Sequence, residues 1–271
     1  MAGVDLPSRI KATIKEPHGV VNRLNTARIP LCLPPQANST GLYTMGFSRY
    51  ADIYLGFEEV WHSLIGDPAD WPGEISDDPA HFSSDEARIQ AVLRLLYMPE
   101  LYRTRRLESD FAALKLLDPG LSSLHAGADN AGSEFRQYIK QRMPEKPHLL
   151  VAYIWIMYQA MFNGGRFIRL QLLKAGPEFW GLSPKEMNPS DFPSPLSFWC
   201  VENDETVKTE FRERAVKIDG LLTEAERQEI LDESLEIFRR CTVITSQLDE
   251  QVMANATGVH ATEETKQPIQ V

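Results

Sequence analysis

The sequence predicts an all-α protein with a single domain, and three observations support this. Most segments place apolar residues at the spacing of one helical face, whereas strand-like alternation is rare. A Ser or Thr stands three residues before a Glu at 83–86, 183–186 and 223–226, which is the capping-box spacing that starts helices. The 271 residues suffice for one large domain, and neither loop-rich stretch is long enough to separate a second core from the first.

Apolar spacing and the start signals define eight expected helices. The signal at 83–86 opens the third helix, and the signal at 223–226 opens the last one. The sixth begins with the most apolar run of the chain, and its pattern continues beyond two glycines. We expect helices over residues 8–26, 40–65, 84–98, 100–117, 133–143, 147–175, 204–218 and 223–252. Residues 8–252 then form the helical domain, between a flexible N-terminus at 1–7 and a disordered polar tail at 253–271.

Composition limits the partners and the compartment. The net charge of -10 argues against nucleic acid or an anionic membrane as a general partner, because both favour a basic surface. Cys32, Cys200 and Cys241 form no CxxC pair, which makes a zinc or redox motif unexpected and suits a reducing compartment. The N-terminus has no signal-peptide core, and the apolar run at 149–162 is short for a bilayer. We therefore expect a cytoplasmic protein without a stable membrane anchor.

Gly164 and Gly165 interrupt the most apolar helix. A glycine inside a helix costs roughly 1 kcal/mol relative to alanine, so the adjacent pair calls for a reason. One interpretation is close packing of the helix against another backbone. The other is a bend across which a flat ligand lies.

Two further segments place cations on one helical face. Lys11, Lys15 and His18 are four and three residues apart, a spacing that lets lysines bind carboxylates and a neutral imidazole bind a metal. Near residue 210, a similar face combines cations with an aromatic ring, at Lys208, Phe211 and Arg212. Ordinary solvated helix faces explain both patterns equally well.

Taken in order, these segments resemble the heme oxygenase family, particularly its divergent fungal members. The likeness runs from about residue 10 to 250 and includes "IKEPHGVVNRL", "DIYLGFEEVW", "YMPELYRTRRLESDFAAL", "PHLLVAYIWIMYQAMFNGGRFI" and "VKTEFRERAVKIDGLLTEAERQEILDESLEIF". The resemblance implies a heme oxygenase-like helical bundle that holds heme b between a proximal and a distal helix. It also implies that heme is both cofactor and substrate, converted with O₂ and electrons from a reductase partner into biliverdin, CO and ferrous iron.

The resemblance also implies roles for individual residues. His18 falls at the position of the proximal iron ligand, and Gly164 and Gly165 at the bend of the distal helix. Phe211 occupies an aromatic position that packs near the heme. Four cations fall where the family holds the heme propionates: Lys11, Lys15, Lys208 and Arg212.

The chain departs from the family pattern on the distal helix. Met161 replaces an aspartate that anchors proton-delivering water, Ala160 replaces a glycine, and Met157 replaces an arginine found in many members. Methionine donates no hydrogen bond, so the distal wall is expected to be apolar. Three neighbouring residues are candidates to hold water instead, Tyr158, Gln159 and Asn163, and Tyr158 is also a candidate to contact heme.

A second departure is Pro17, directly before His18. A proline either kinks a helix or begins one at its first position. If the helix began at Pro17, Lys11 and Lys15 would lie on a separate turn.

Three other functions remain open at this stage. A non-catalytic heme carrier, buffer or sensor would retain the pocket without a proton relay. A non-heme di-iron oxidase would use Glu59 and His62, which lie three apart on one helix face. A helical interaction module would bind no ligand at all.

Overall fold

The structure is a computed structural model that describes residues 4–119, 130–187 and 192–264. These residues form helices and turns without any strand, which confirms the predicted all-α single domain. The described α-helices are α1 Leu6–Thr13, α2 Lys15–Arg28, α3 Gly41–Ile65, α4 Asp85–Leu95, α5 Thr104–Leu117, α6 Ala131–Arg142, α7 Leu150–Phe162, α8 Gly164–Lys174, α9 Asp204–Lys217 and α10 Glu224–Glu264. No helix in these ranges combines the length and the apolarity needed to span a membrane.

The predicted start signals differ in outcome. Ser84, one residue later than expected, caps α4 by accepting from the backbone N–H of Ala87 at 3.2 Å. At the start of α10, the Glu226 carboxylate accepts from the backbone N–H of Thr223 at 2.7 Å, and the Thr223 hydroxyl accepts from the backbone N–H of Glu226 at 3.2 Å. Residues 183–186 form only a turn, although the Glu186 carboxylate accepts a hydrogen bond of 2.7 Å from the backbone N–H of Ser183.

Two of the expected helices are each broken by one residue. Ile14 separates α1 from α2 with φ -88° and ψ 3°, and Asn163 separates α7 from α8 with φ -111° and ψ -82°. The glycine pair therefore opens a new helix instead of interrupting one. Both breaks are local changes of backbone direction that apolar spacing does not register.

The ends of the chain are more helical than expected. α1 begins at Leu6, which is 1% exposed, so the segment predicted as a flexible N-terminus includes a buried residue. The last helix continues to Glu264, twelve residues into the segment predicted as a disordered tail. Residues 265–271 lie outside the described ranges. Within 100–117, the α-helix begins only at Thr104, after a 3₁₀ turn.

The core lies along α3, α6, α7 and α10. All residues of α7 from 150 to 158 are buried, as the apolar run predicts. α3 and α6 approach closely at Gly132, where a Cβ atom would lie 2.7 Å from the carbonyl oxygen of Arg49. This is the position in the fold where a glycine lets two helix backbones pack together.

A buried carboxylate ties three helices together. The Glu58 side chain of α3 accepts from the backbone N–H groups of Arg103 and Thr104 at 2.9 and 2.8 Å. It also accepts from the hydroxyl groups of Thr104 and Tyr158 at 2.7 and 2.8 Å. Glu58 thus satisfies free N–H groups at the start of α5 and fixes α7 against α3. Burial raises the pKa of this carboxyl, and the four hydrogen bonds oppose the rise.

Candidate functional site

A single large cavity brings most of the predicted site residues together. Its volume is about 1110 Å³, and its walls come from α1, α2, α3, α7, α8, α9 and α10. Ligand sites commonly occupy about 300–1,000 Å³, so this cavity is large enough for a sizeable planar ligand. The predicted residues that line it are Lys11, Lys15, His18, Gln159, Ala160, Met161, Asn163, Gly164, Gly165, Lys208 and Arg212.

His18 is the one histidine among the described residues that lines the cavity. Its imidazole is exposed and packs edge-on against Phe238, with ring centroids 5.8 Å apart. Within the described ranges, no residue forms a hydrogen bond with either ring nitrogen. The imidazole is therefore available to a metal or a ligand in the cavity.

The helix expected over residues 8–26 breaks at Ile14, three residues before Pro17, and α2 then begins at Lys15 and continues through Pro17. Pro17 lies in the first turn, where backbone N–H groups lack intrahelical partners in any helix. The backbone N–H of His18 makes the next regular bond, to the carbonyl of Ile14 at 2.8 Å. Lys11 lies on α1 and Lys15 on α2, yet both side chains line the cavity.

Five cations line the cavity; Arg28 is paired with Asp249, whereas the other four are only weakly compensated by acidic groups. The Lys208 ammonium lies 3.5 Å from the amide oxygen of Asn163, and the Arg212 guanidinium lies 3.8 Å from the carboxylate of Asp5. Lys11 and Lys15 have no ion-pair partner among the residues that the structure describes. This rim therefore retains positive charge that an acidic ligand can use.

The glycine pair faces the cavity and the helix break. A Cβ atom on Gly164 would have no protein atom within 4 Å, and Gly164 lines the cavity. A Cβ atom on Gly165 would lie 3.3 Å from the carbonyl oxygen of Ala160 and 3.8 Å from the Trp199 ring. Close approach to the backbone at the end of α7 therefore accounts for Gly165, whereas the open space beside Gly164 favours ligand approach.

Two methionines and two amide side chains line the cavity beside the glycines. Met157 and Met161 line the cavity and are 6% and 3% exposed. The carbonyl of Met157 accepts a hydrogen bond of 2.8 Å from the hydroxyl of Tyr54. The side-chain amide of Asn163 donates a hydrogen bond of 3.0 Å to the carbonyl of Gln159, so this amide nitrogen already has a protein partner.

Two predicted contacts are corrected by the structure. Tyr158 does not line the cavity, because its hydroxyl donates to buried Glu58 on the core side of α7. Phe211 is 0% exposed and stacks at 5.5 Å on Trp155, which lines the cavity, but Phe211 itself does not line it. Helical spacing alone does not distinguish the face of α7 or α9 that meets the cavity from the face that meets the core.

Sequence reasoning missed the contribution of α3. Tyr43, Gly46, Tyr50 and Tyr54 all line the cavity. They lie at i, i+3, i+7 and i+11 of one helix face, so the signal was present but is also typical of a core stripe. Gly46 resembles Gly164, since a Cβ atom there would meet nothing within 4 Å.

The cysteines that line the cavity are unreactive. Burial raises the pKa of Cys32 to about 11 and that of Cys241 to about 12. Both thiols therefore stay protonated at neutral pH, and the thiolate is the form that reacts or binds metal.

The residues of the di-iron alternative lie outside the cavity. Glu59 forms surface ion pairs with Arg136 at 3.0 Å and Lys140 at 2.6 Å. His62 is exposed on the same helix. In the described ranges, no group of three or more His, Cys, Asp or Glu side chains is placed to hold a metal ion.

Comparisons with solved structures give the same fold. Heme oxygenase-1 of the cyanobacterium Synechocystis, solved in complex with heme, matches with a TM-score of 0.65 and 17% identity over 97% of this chain and 100% of that chain. Heme oxygenase of Leptospira interrogans matches with 0.62 and 18% over 90% and 100%. Heme oxygenase 2 of Chlamydomonas reinhardtii, solved without heme, matches with 0.64 and 16% over 89% and 96%. No curated protein sequence matches the chain.

The sequence itself matches a family model described as heme oxygenase over residues 83–247, which is more than half of the chain. The matched range includes the glycine pair and the cationic face of α9, but not His18. Together with the shared fold, this match shows that the chain belongs to the heme oxygenase family.

Proposed function

We propose that the chain binds heme b and cleaves it oxidatively to biliverdin, CO and ferrous iron. The observation that carries the proposal is one cavity lined by an available imidazole, an open glycine bend and four cationic side chains besides the paired Arg28. Family membership supports heme binding and heme degradation in general.

The lining residues fit heme in their chemistry. His18 would bind the iron through a free ring nitrogen. Apolar side chains such as Ile14, Met157 and Met161 would contact the faces of the ring. The propionate carboxylates would pair with four cations at the border of the cavity: Lys11, Lys15, Lys208 and Arg212.

Bound heme would supply the iron that activates O₂ and the ring that is cleaved, with electrons from a reductase. The protein's role is positional. The cations would hold the carboxylates of the ligand and so restrict its orientation. Gly164 would leave room for the ligand, and the buried wall of α7 limits the access of bulk water.

The altered wall makes slow turnover the expected behaviour. Met161 has no proton to give and does not anchor water as a carboxylate does. Positioned proton transfer contributes on the order of 10²–10⁴ in rate. A chain without it would still bind heme and would degrade it more slowly.

The same wall favours a second candidate, a heme carrier, buffer or sensor. Met157, Ala160 and Met161 together present no hydrogen-bonding side chain to the cavity. Such a protein would bind one heme per chain without turnover.

A hemin titration of the purified chain followed by ascorbate tests both candidates. We expect a saturable Soret band at one hemin per chain, which then decays slowly into a bilin spectrum. His18→Ala should shift the band and weaken binding. His62→Ala is the matched control, because His62 is exposed on α3 outside the cavity and should leave the spectrum unchanged.

The outcomes separate the candidates. A Soret band that persists after ascorbate contradicts cleavage and supports the carrier. No spectral change on adding hemin contradicts both. Equal effects of His18→Ala and His62→Ala contradict the assignment of His18 as the ligand.

A further inference from the structure

Three tyrosines of α3 face the cavity. Tyr43, Tyr50 and Tyr54 are seven and four residues apart, a spacing that places them on one helix face, and all three line the cavity. A buried tyrosine usually satisfies its hydroxyl with a protein partner. The three hydroxyls differ in this respect.

Tyr50 and Tyr54 use their protons within the protein. Tyr54 donates to the carbonyl of Met157 at 2.8 Å. The hydroxyl of Tyr50 lies 3.1 Å from the side-chain oxygen of Asn25 and 2.9 Å from the hydroxyl of Thr245. Neither tyrosine has a proton to spare for a ligand.

Tyr43 accepts a hydrogen bond without giving one. Its oxygen lies 2.8 Å from the indole nitrogen of Trp199. An indole N–H is only a donor, so the proton of Tyr43 must point elsewhere. No residue in the described ranges of the chain accepts it. Tyr43 is 3% exposed, so bulk solvent does not satisfy this proton either.

The ring of Tyr43 is held firmly beside the glycine bend. It stacks on Phe47 at 5.4 Å and meets Trp180 edge-on at 4.9 Å. Its partner Trp199 lies next to Gly165, where a Cβ atom would be 3.8 Å from the indole ring. The donor is therefore in a fixed position on the wall of the cavity, close to the open bend.

We propose that the hydroxyl of Tyr43 is the hydrogen-bond donor that this cavity presents to a small oxygen-containing ligand, either water or a diatomic gas, held beside heme. This rests on the proposed heme binding. Tyr43 would thus supply, from α3, the polar contact that the apolar wall at Met161 lacks.

Two properties suit Tyr43 to this role. Burial raises the pKa of Tyr43 well above its usual value, and the bond from Trp199 only partly opposes the rise. The hydroxyl therefore remains protonated across the neutral range. Donation from the Trp199 N–H to the tyrosine oxygen also polarises the O–H group, which strengthens the bond that it gives.

Carbon monoxide bound to the reduced, hemin-loaded full-length protein is a suitable probe. A hydrogen bond to its oxygen lowers the C–O stretching frequency, which infrared spectroscopy measures. We expect Tyr43→Phe to move the band to higher frequency. Tyr50→Phe is the matched control, because it removes a cavity-lining hydroxyl whose partners are protein groups, and it should leave the band in place.

A measurement on the unmutated protein covers the case in which Tyr43→Phe does not fold. Exchange from H₂O into D₂O should shift the band of the wild-type protein and of Tyr50→Phe. An absent shift in the wild-type protein overturns the proposal, as does an equal band position in Tyr43→Phe and wild type. Equal displacement of the band in Tyr43→Phe and Tyr50→Phe also overturns it.

The hemin titration separates this proposal from the function on which it rests. If the wild-type protein forms no hemin complex, heme binding itself is wrong. If the complex forms and Tyr43→Phe leaves the infrared band unchanged, only the assignment of Tyr43 as the donor is wrong.

Discussion

Met161 of α7 and His18 of α2 line the same cavity, although they come from opposite halves of the chain. The His18 imidazole has a ring nitrogen without a protein partner among the described residues. The Met161 thioether donates no proton and holds water only weakly. The cavity therefore has an available imidazole at position 18 and, at position 161, no acid.

Replacing Met161 by Asp should restore some of the missing proton delivery. Because general acid assistance is worth about 10²–10⁴ in rate, we expect Met161→Asp to raise bilin formation at least about 10-fold under ascorbate. A carboxylate at a position that is 3% exposed should also lower the free energy of unfolding, by about 1–3 kcal/mol. Met161→Leu, which keeps the volume and adds no acid, should change neither the rate nor the product; a gain there would attribute the effect to packing.

An alanine at Gly164 should weaken ligand binding without destabilising the fold. A Cβ atom there meets no protein atom within 4 Å, and Gly→Ala at an unstrained helical position stabilises by about 0.4–1 kcal/mol. We therefore expect Gly164→Ala to keep or raise the melting temperature while it weakens hemin binding in an optical titration. Gly220→Ala also has open space around it but lies outside the cavity, and it should not affect binding. Unchanged hemin affinity in Gly164→Ala would argue against close approach of the ligand to this bend.

The cationic rim should contribute to hemin affinity in a salt-dependent way. Exposed ion pairs are worth about 0.2–1 kcal/mol each, so removing Lys11 or Lys15 should weaken binding about 1.5- to 5-fold. Screening reduces such interactions, so the loss should shrink between low and high ionic strength. Lys115→Ala on the exposed face of α5 is the control. Hemin affinities that do not change with salt in any variant would remove these lysines from the site.

The sequence alone predicts where helices lie better than where they break or which of their faces meets the cavity. The apolar run of α7 and the start signal at Thr223 depend on neighbours within a few residues, so both were predictable. The break at Ile14 had a signal in Pro17, which cannot donate to the carbonyl four residues earlier, but its exact position did not. The break at Asn163 depends on backbone dihedrals that its side-chain type does not dictate. Tyr158 was assigned to the wrong face because its partner Glu58 lies 100 residues away in the sequence. Tyr43 was missed because an aromatic stripe on α3 resembles an ordinary core stripe until the cavity beside it is visible.

Glu226 should make stability depend on pH in the acidic range. Burial raises the pKa of this carboxyl, but hydrogen bonds from Arg88 and Thr223 outweigh burial, and its net pKa lies below the ordinary value of 4.5. A lowered folded-state pKa stabilises the fold above the ordinary value, and this contribution is lost as the pH falls through the folded-state pKa. We expect Glu226→Gln to cost about 1–3 kcal/mol at pH 7 and the difference from wild type to disappear well below pH 4.5, in urea unfolding followed by circular dichroism.

The control for this measurement is Glu210→Gln. Glu210 pairs with Arg214 four residues along α9 at 2.6 Å, and both side chains are substantially exposed. Its loss should cost less than about 0.5 kcal/mol. Equal costs for the two variants would show that the bidentate pair of Glu226 with Arg88 is not what makes stability depend on pH.

Gly132 has a consequence well beyond its own helix. A methyl group there would overlap the Arg49 peptide, whose carbonyl oxygen lies 2.7 Å from the required position, so any side chain must push α3 away from α6. α3 is also the helix that presents Tyr43 and Tyr50 to the cavity. Gly132 does not line the cavity, yet it fixes the position of the helix that does, so the shape of the cavity depends on a contact made outside it.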